Sequence, residues 1–191
     1  MEQVKRDLRI CRRMASRLAR RLRVPAIVLL LAIVAAAQPG PSEYQVKAAF
    51  LLHFTKFVEW PPSAFAGAAA PFAICVLGDD PFGSALDQVV EGETVDGRKV
   101  TIQRIKRIPE PKSCQILFIG KSEKTAAEIL PAVGPGVLTV GEHPGFLRDG
   151  GIIEFALDGH HVRFDINMRA ASQAGLTMSA RLLKVARMVQ R

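Results

Sequence analysis

The sequence of 191 residues carries 26 lysines and arginines against 18 aspartates and glutamates, which gives a formal net charge of +8 and a pI of about 9.9. This length suits one domain of ordinary size or two small ones. The basic excess is concentrated in residues 1–37, which hold nine basic and two acidic residues, whereas residues 38–191 hold 17 basic and 16 acidic ones. Because binding to nucleic-acid phosphates needs an extensive cationic surface, the nearly neutral remainder argues against a DNA- or RNA-binding protein.

The first 37 residues have the layout of a secretory signal peptide. A basic stretch ends at Arg23, an apolar run covers residues 26–34, and three alanines ending at Ala37 supply small residues for cleavage. Residues 26–37 would measure about 18 Å as a helix, less than the roughly 30 Å of a bilayer's hydrocarbon core. We therefore predict export, cleavage after about Ala37 and a mature chain of 154 residues. An uncleaved membrane anchor is the alternative.

A long helix is predicted after a Pro/Gly linker at residues 38–42. Ser42 and Gln45 have the spacing of a capping box, and apolar residues then recur every three or four positions as far as Phe57. The stripe includes the aromatic residues Phe50, Phe54 and Phe57. At this spacing an aromatic stripe more often packs into the core, although it could also form a ligand slot.

The middle of the chain alternates buried strands with helices. Short apolar runs bounded by turn residues are typical of strands buried on both faces. These runs are residues 72–77, 115–119 and 136–140. Helices are expected at 82–90 and from Ser122 to Pro131. This alternation predicts an α/β fold.

Two Asp-Gly pairs and the C-terminal segment complete the predicted fold. Asp96-Gly97 and Asp158-Gly159 each lie between alternating segments, which is the pattern of a β-hairpin. A last helical region is expected from Met168 to Arg191, interrupted at Gly175. We therefore predict one three-layer α/β domain over residues 43–191, with a mixed sheet of about six strands flanked by helices.

Two cysteines, Cys75 and Cys114, remain after the predicted cleavage, because Cys11 lies in the segment that is removed. An exported protein with two cysteines favours a single disulfide. Two buried free thiols are the alternative. The sequence contains no C-x-x-C motif, which would indicate a redox-active site.

The sequence contains no convincing motif for catalysis, a cofactor or a metal. Gly78–Gly83 has the two-glycine spacing of a phosphate-binding loop, but Ser84 stands where lysine is required. His160 and His161 are adjacent on a predicted strand, where successive side chains point to opposite faces, so they could not close on one metal ion without a bulge. We predict no catalytic residue, no cofactor and no metal ligand.

The expected C-terminal helix is the strongest candidate for contact with a partner. Its apolar residues cover more than one stripe, so they cannot easily all pack against one sheet. We assign partner contact to Met178 and Leu182 on this helix and to Phe155 on a predicted strand. A fully buried helix at the sheet edge is the alternative.

Several segments resemble the YfiR-like family. Residues 43–61, EYQVKAAFLLHFTKFVEWP, are similar to its opening signature. Further segments that resemble it are CVLGDDPFG at 75–83, CQILFI at 114–119, GGII at 150–153, VRFDIN at 162–167 and the closing segment at 170–183. The resemblance covers nearly all of residues 43–189.

This resemblance implies a small periplasmic α/β protein without known catalysis. The family's namesake represses an inner-membrane diguanylate cyclase by engaging its periplasmic part, and family members look like homodimers. Cys75 and Cys114 match a cysteine pair that is bridged in the family. We therefore predict a non-enzymatic regulator that reaches the membrane only through its partner and controls cyclic-di-GMP and biofilm formation.

Two other functions stay open at this point. A periplasmic sensor of a small ligand would use a pocket near Gly78–Gly83, where a strand of an α/β sheet ends. An exported enzyme would require an activity that is lost on mutation of His143 or Asp165.

Overall fold

The computed structural model describes residues 40–108, 113–121 and 126–191. The predicted signal peptide at residues 1–37 lies outside these ranges, as do the first two residues of the predicted linker and the predicted helix start at Ser122. The helices of the described chain are α1 (Glu43–Phe57), α2 (Ser84–Val90), α3 (Ala126–Ile129), α4 (Met168–Gln173) and α5 (Ala180–Val185). Two short 3-10 helices cover Pro62–Ala64 and Leu130–Ala132.

The strands of the described chain form an eight-stranded mixed sheet and a separate two-stranded pair. They are β1 (Val58–Glu59), β2 (Phe72–Leu77), β3 (Thr94–Val95), β4 (Arg98–Ile105), β5 (Ile116–Ile119), β6 (Leu138–Gly141), β7 (Ile153–Asp158), β8 (His161–Asn167), β9 (Thr177–Met178) and β10 (Met188–Gln190). The large sheet has the order β10-β8-β7-β6-β5-β2-β4-β3, and β1 pairs with β9.

The centre of the large sheet is parallel and its margins are partly antiparallel. Strands β4, β2, β5, β6 and β7 run parallel to one another. Strand β7 pairs antiparallel with β8, and β3 pairs antiparallel with β4 across the turn at Asp96 and Gly97, which have φ of 50° and 75°. The mixed α/β fold is confirmed, with eight strands where about six were expected, because short segments such as β10 also join the sheet.

Two apolar cores lie on opposite faces of the sheet, because alternate residues of each strand point to opposite sides. In β2, Phe72, Ile74 and Val76 belong to the larger core, which also contains residues of α1, α2 and α5. Ala73, Cys75 and Leu77 of the same strand belong to the smaller core. The smaller core also takes in apolar residues of α3 and of the loop after β6. Three layers result, as predicted.

The disulfide between Cys75 and Cys114 is present in the smaller core. Both residues are buried, and their Cα atoms are 5.9 Å apart. The bridge ties β2 to the residue two positions before β5, the neighbouring strand. It closes a loop with a sequence separation of 39 residues.

Helix α1 begins as the capping box predicts. The Ser42 hydroxyl accepts a hydrogen bond from the Gln45 amide at 3.3 Å, and the Ser42 amide donates to the Gln45 side chain at 2.7 Å. The helix ends at Phe57, because the chain turns there into β1, where Val58 pairs with Met178 of β9. This pairing joins the segment that follows α1 to the C-terminal segment.

The prediction of a single helix after Gly175 is wrong. Residues 176–191 instead form β9, α5 and β10 in succession. The Ser179 hydroxyl accepts from the Leu182 amide at 3.2 Å and so starts a new short helix with an extended residue in front of it. Pairing of β9 with β1 and of β10 with β8 supplies backbone hydrogen bonds that override the helical periodicity.

Candidate interaction surface

An apolar groove opens between α1 and α5. Its volume is about 190 Å³. The lining residues are Phe50, His53, Phe54, Phe57, Phe164, Arg181, Leu182 and Val185. Phe54, Phe164 and Leu182 are nearly inaccessible to solvent and form the floor. His53, Arg181 and Val185 are exposed and stand at the rim.

Helical spacing and aromatic packing together build the α1 side of this groove. Phe50, Phe54 and Phe57 lie at three- and four-residue intervals, so they share one face of α1. The Phe164 ring of β8 meets Phe54 edge to face at a centroid distance of 5.2 Å and Phe50 at 5.3 Å. The His53 ring stacks over Phe57 at 6.3 Å. This wall is therefore fixed by contacts beneath it.

The three residues assigned to partner contact are all buried. Phe155, Met178 and Leu182 are 4%, 6% and 3% exposed. Phe155 stacks on Phe54 at 6.0 Å within the larger core, and Leu182 lines the groove floor. Their role in partner contact stays a prediction.

The exposed rim residues of the groove were not among the residues assigned to contact. Two patterns in the sequence point to this part of the surface: the aromatic stripe of α1, which is predicted mainly as core, and the excess of apolar residues in the C-terminal segment. Val185 belongs to that excess and is 58% exposed, because α5 ends at this residue.

The α5 side of the groove carries positive charge, because Arg181 lines the groove. Residues 168–191 contain five basic residues and no acidic one. Arg187 forms a two-pronged pair with the buried Asp165 carboxylate, with Nε at 2.9 Å from Oδ1, and these hydrogen bonds raise the pKa of Arg187. Arg181 and Lys184 form no ion pair with any other residue that the structure describes.

A buried ion cluster lies at the carboxyl ends of the central parallel strands. The Lys47 ammonium of α1 is 2% exposed and contacts both Glu43 and Glu142, which directly follows β6. Tyr44 donates to the Glu142 carboxylate at 3.3 Å, and the Lys121 amide donates to it at 3.4 Å. The cluster is internally satisfied, so it fixes α1 against the sheet.

The cluster shifts two pKa values. Burial would lower the pKa of Lys47, but the hydrogen bonds to Glu142 and Glu43 outweigh it and the pKa is raised. The pKa of Tyr44 is raised by burial and by the negative charge of Glu142. Lys47 is therefore a cation throughout the neutral range.

The turn at Gly78–Gly83 is held by an arginine from the neighbouring strand. Arg104 of β4 lies 2.6 Å from an Asp80 oxygen and 2.6 Å from an Asp87 oxygen, and it donates to the Gly83 carbonyl at 3.1 Å. Its hydrogen bond lowers the pKa of Asp87. Polar groups of this turn are thus paired with Arg104, which argues against a ligand site there.

The histidines and acidic residues of the described chain form no cluster of three or more that could hold a metal ion. His143 Nε2 lies 3.1 Å from Asp149 Oδ2, and the Asp165 carboxylate is paired with Arg187. Within the same described ranges, no helix is both long enough and apolar enough to cross a lipid bilayer.

Comparison with known proteins gives one family match and weaker structural likenesses. A family model described as YfiR/HmsC-like matches residues 44–187. No curated protein matches this chain. The solved structure of a conserved domain protein from Vibrio cholerae O1 biovar El Tor str. N16961 is similar with a TM-score of 0.53 and 11% identity.

The likeness to the Vibrio cholerae structure shows only the fold. The similarity to the Vibrio cholerae protein covers 78% of this chain and 60% of that one, so this chain spans less than two thirds of its length. The ABC domain in complex with L-Trp from Streptococcus pneumonia has a TM-score of 0.46 and 13% identity, over 74% of this chain and 60% of that one. The second score is too low to support a conclusion.

Proposed function

The chain belongs to the YfiR/HmsC-like family, and we propose that it is a periplasmic, non-enzymatic regulator that binds and represses the periplasmic part of an inner-membrane diguanylate cyclase. Lower cyclic-di-GMP output would then limit biofilm formation. The observation that carries this proposal is the family match, which extends over residues 44–187, about three quarters of the sequence.

Three further features support this location and role. The signal-peptide layout of residues 1–37 favours export. The Cys75–Cys114 disulfide suits an oxidising compartment such as the periplasm, since thiols in the cytosol are kept reduced. The exposed groove between α1 and α5 offers a surface for a protein partner.

Repression by such a protein is a shift of population in the cyclase. A regulator that binds the active and inactive states equally well changes nothing, whatever its affinity. A preference of about 100-fold for the inactive state corresponds to about 2.7 kcal/mol of coupling free energy. This value is ordinary for a protein interface, so no chemical step by this chain is needed.

Gene deletion and complementation test the proposal. Cyclic-di-GMP is measured in the parent strain, in the deletion strain and in strains complemented with the full chain or with residues 38–191 behind a start codon. We expect a rise on deletion, reversal by the full chain and no reversal by the chain that lacks the export signal. An unchanged cyclic-di-GMP level on deletion, with the cyclase expressed, would contradict the proposal.

The family also suggests that the regulator acts as a homodimer. Light scattering of purified residues 38–191 at micromolar concentration tests this. A mass of twice that of the mature chain is expected, and a monomer mass at all concentrations would contradict it.

A small-ligand sensor is the second candidate function. A cavity of about 280 Å³ lies between the 3-10 helix Leu130–Ala132 and α4. Its lining includes the polar residues Thr139 and Gln173 and no charged residue. It would suit a small neutral ligand. Native mass spectrometry of protein purified from the periplasm would show a bound mass if this function is correct.

A further inference from the structure

The groove between α1 and α5 has room for one large side chain from another molecule. Its volume of about 190 Å³ exceeds the roughly 150 Å³ of an apolar cavity that admits benzene. Its floor of Phe54, Phe164 and Leu182 is buried, while Val185 at the rim is 58% exposed. A buried aromatic or branched side chain in such a pocket is the kind of anchor that dominates a protein interface.

The charge around the groove selects the sign of its occupant. Arg181 lines the groove, and Lys184 follows on the same short helix; neither has an ion-pair partner among the described residues. No acidic residue occurs anywhere in residues 168–191. Carboxylates beside the anchoring side chain would therefore be attracted, and this attraction would speed association and fix the orientation.

A second copy of this chain fits the groove poorly. In a twofold contact the same patch meets itself, which would bring the unpaired Arg181 and Lys184 cations of both copies into one interface. Residues 1–37 are an unfavourable occupant of the groove for the same reason, since they carry nine basic and two acidic residues. A homodimer would therefore use another surface.

An anionic bilayer would also attract Arg181 and Lys184. The shape of the groove disfavours this occupant, because its apolar floor lies beneath the exposed rim of His53, Arg181 and Val185. A lipid surface would meet the rim and leave the floor unfilled, whereas a protruding side chain of a folded protein reaches it.

We propose that the groove between α1 and α5 binds one large apolar side chain, flanked by acidic residues, of the cyclase's periplasmic part. This inference rests on the proposed function and names the surface through which the regulator engages its partner. Phe54, Phe164 and Leu182 contact the anchoring side chain, and Arg181 and Lys184 pair with the carboxylates beside it.

Rim substitutions in the deletion strain test the groove. Val185→Asp places a negative charge beside the anchor, and Arg181→Glu reverses the charge that attracts the partner. Both side chains are exposed, so the fold is retained. Leu157→Asp is the matched control, because Leu157 is 50% exposed on β7 and does not line the groove. Periplasmic amounts are equalised by immunoblot.

The groove variants are expected to lose repression. Each should weaken binding by about 30-fold or more, the effect of losing an interface hot spot, and cyclic-di-GMP should return to the level of the deletion strain. The Leu157→Asp control should repress as the unaltered protein does. Full repression by both groove variants would overturn the groove as the docking surface and would leave the proposed function standing.

A photo-crosslinking residue at position 53 identifies the occupant directly. The expected product joins this position to a periplasmic segment of a membrane-bound cyclase in which acidic residues flank an apolar side chain. A crosslink to lipid or to a second copy of this chain, or no crosslink in a strain that shows repression, would overturn the inference. Failure of the unaltered protein to lower cyclic-di-GMP would instead overturn the proposed function, and this inference with it.

Discussion

Removal of the Cys75–Cys114 bridge is expected to destabilise the mature chain by about 4 kcal/mol. The bridge closes a loop with a sequence separation of 39 residues, and the loss of loop-closure entropy in the unfolded chain gives this value. Both cysteines are at most 1% exposed, so the reduced chain gains little new solvation in the folded state. The effect lies in the unfolded state, which becomes free to expand.

The assays are urea unfolding and thermal unfolding of residues 38–191, both monitored by circular dichroism, with and without reductant. For a chain of this length, about 4 kcal/mol corresponds to a fall in melting temperature of roughly 8–16 °C. The Cys75→Ala/Cys114→Ala variant should unfold at the midpoint of the reduced wild-type protein and should be insensitive to reductant.

The single variant Cys75→Ala separates the bridge from the packing of its sulfur atoms. It should lose nearly as much stability as the double variant, because either change opens the loop. A loss below about 1 kcal/mol in all three reduced or substituted forms would refute the entropic reasoning. A loss confined to the double variant would show that packing of the thiols, and not the bridge, stabilises the fold.

Three further outcomes follow from buried contacts. Lys47→Met should cost about 3–5 kcal/mol in urea unfolding, because it leaves the Glu142 carboxylate buried without a cation. Because the pKa of Lys47 is raised on folding, its contribution to stability is complete below the unfolded-state pKa of about 10.4 and is lost as the pH rises through the folded-state pKa. The stabilities of wild type and Lys47→Met should therefore begin to converge above about pH 10.4. Gly151→Ala should cost about 1–3 kcal/mol, measured in the same way, because an added Cβ would overlap the buried Phe146 ring.

Each of these changes has a control on the surface of the same domain. Lys56→Met removes an exposed pair with Glu93 and should cost less than about 1 kcal/mol. Gly67→Ala meets no atom within 4 Å and should change stability by less than about 0.5 kcal/mol. Equal losses in Lys47→Met and Lys56→Met, or in Gly151→Ala and Gly67→Ala, would show that burial of these groups has been misjudged.

Local signals in the sequence predict much of the fold. The capping box at Ser42 and Gln45 fixes the start of α1, because both hydrogen bonds join residues three apart. The apolar run at residues 72–77 is fully buried as β2, and Cys75 within it forms the expected bridge. Each of these features depends on neighbours in the chain or on the pairing of two cysteines, which a sequence displays directly.

Features that depend on distant partners escape such reasoning. On the helical pattern alone Lys47 falls among the polar positions of α1, yet it is buried because Glu142, 95 residues away, lies against it. Met178 has a helical spacing with Leu182, but its backbone pairs with Val58 of β1. No local pattern encodes these contacts, because the energy that decides them is released only when the sheet has assembled.

The C-terminal segment is where local pattern and tertiary structure disagree, and this disagreement bears on function. A sequence usually agrees with its fold at every level, and departures tend to accompany functional sites. The short α5 ends at Val185 and leaves this side chain 58% exposed above the floor that Leu182 and Phe164 provide. The Arg187–Asp165 pair and the β10–β8 pairing hold the segment in this arrangement. The fold thus fixes an apolar groove with basic neighbours in place, at the expense of a simpler packing, which is what a docking surface for an acidic partner requires.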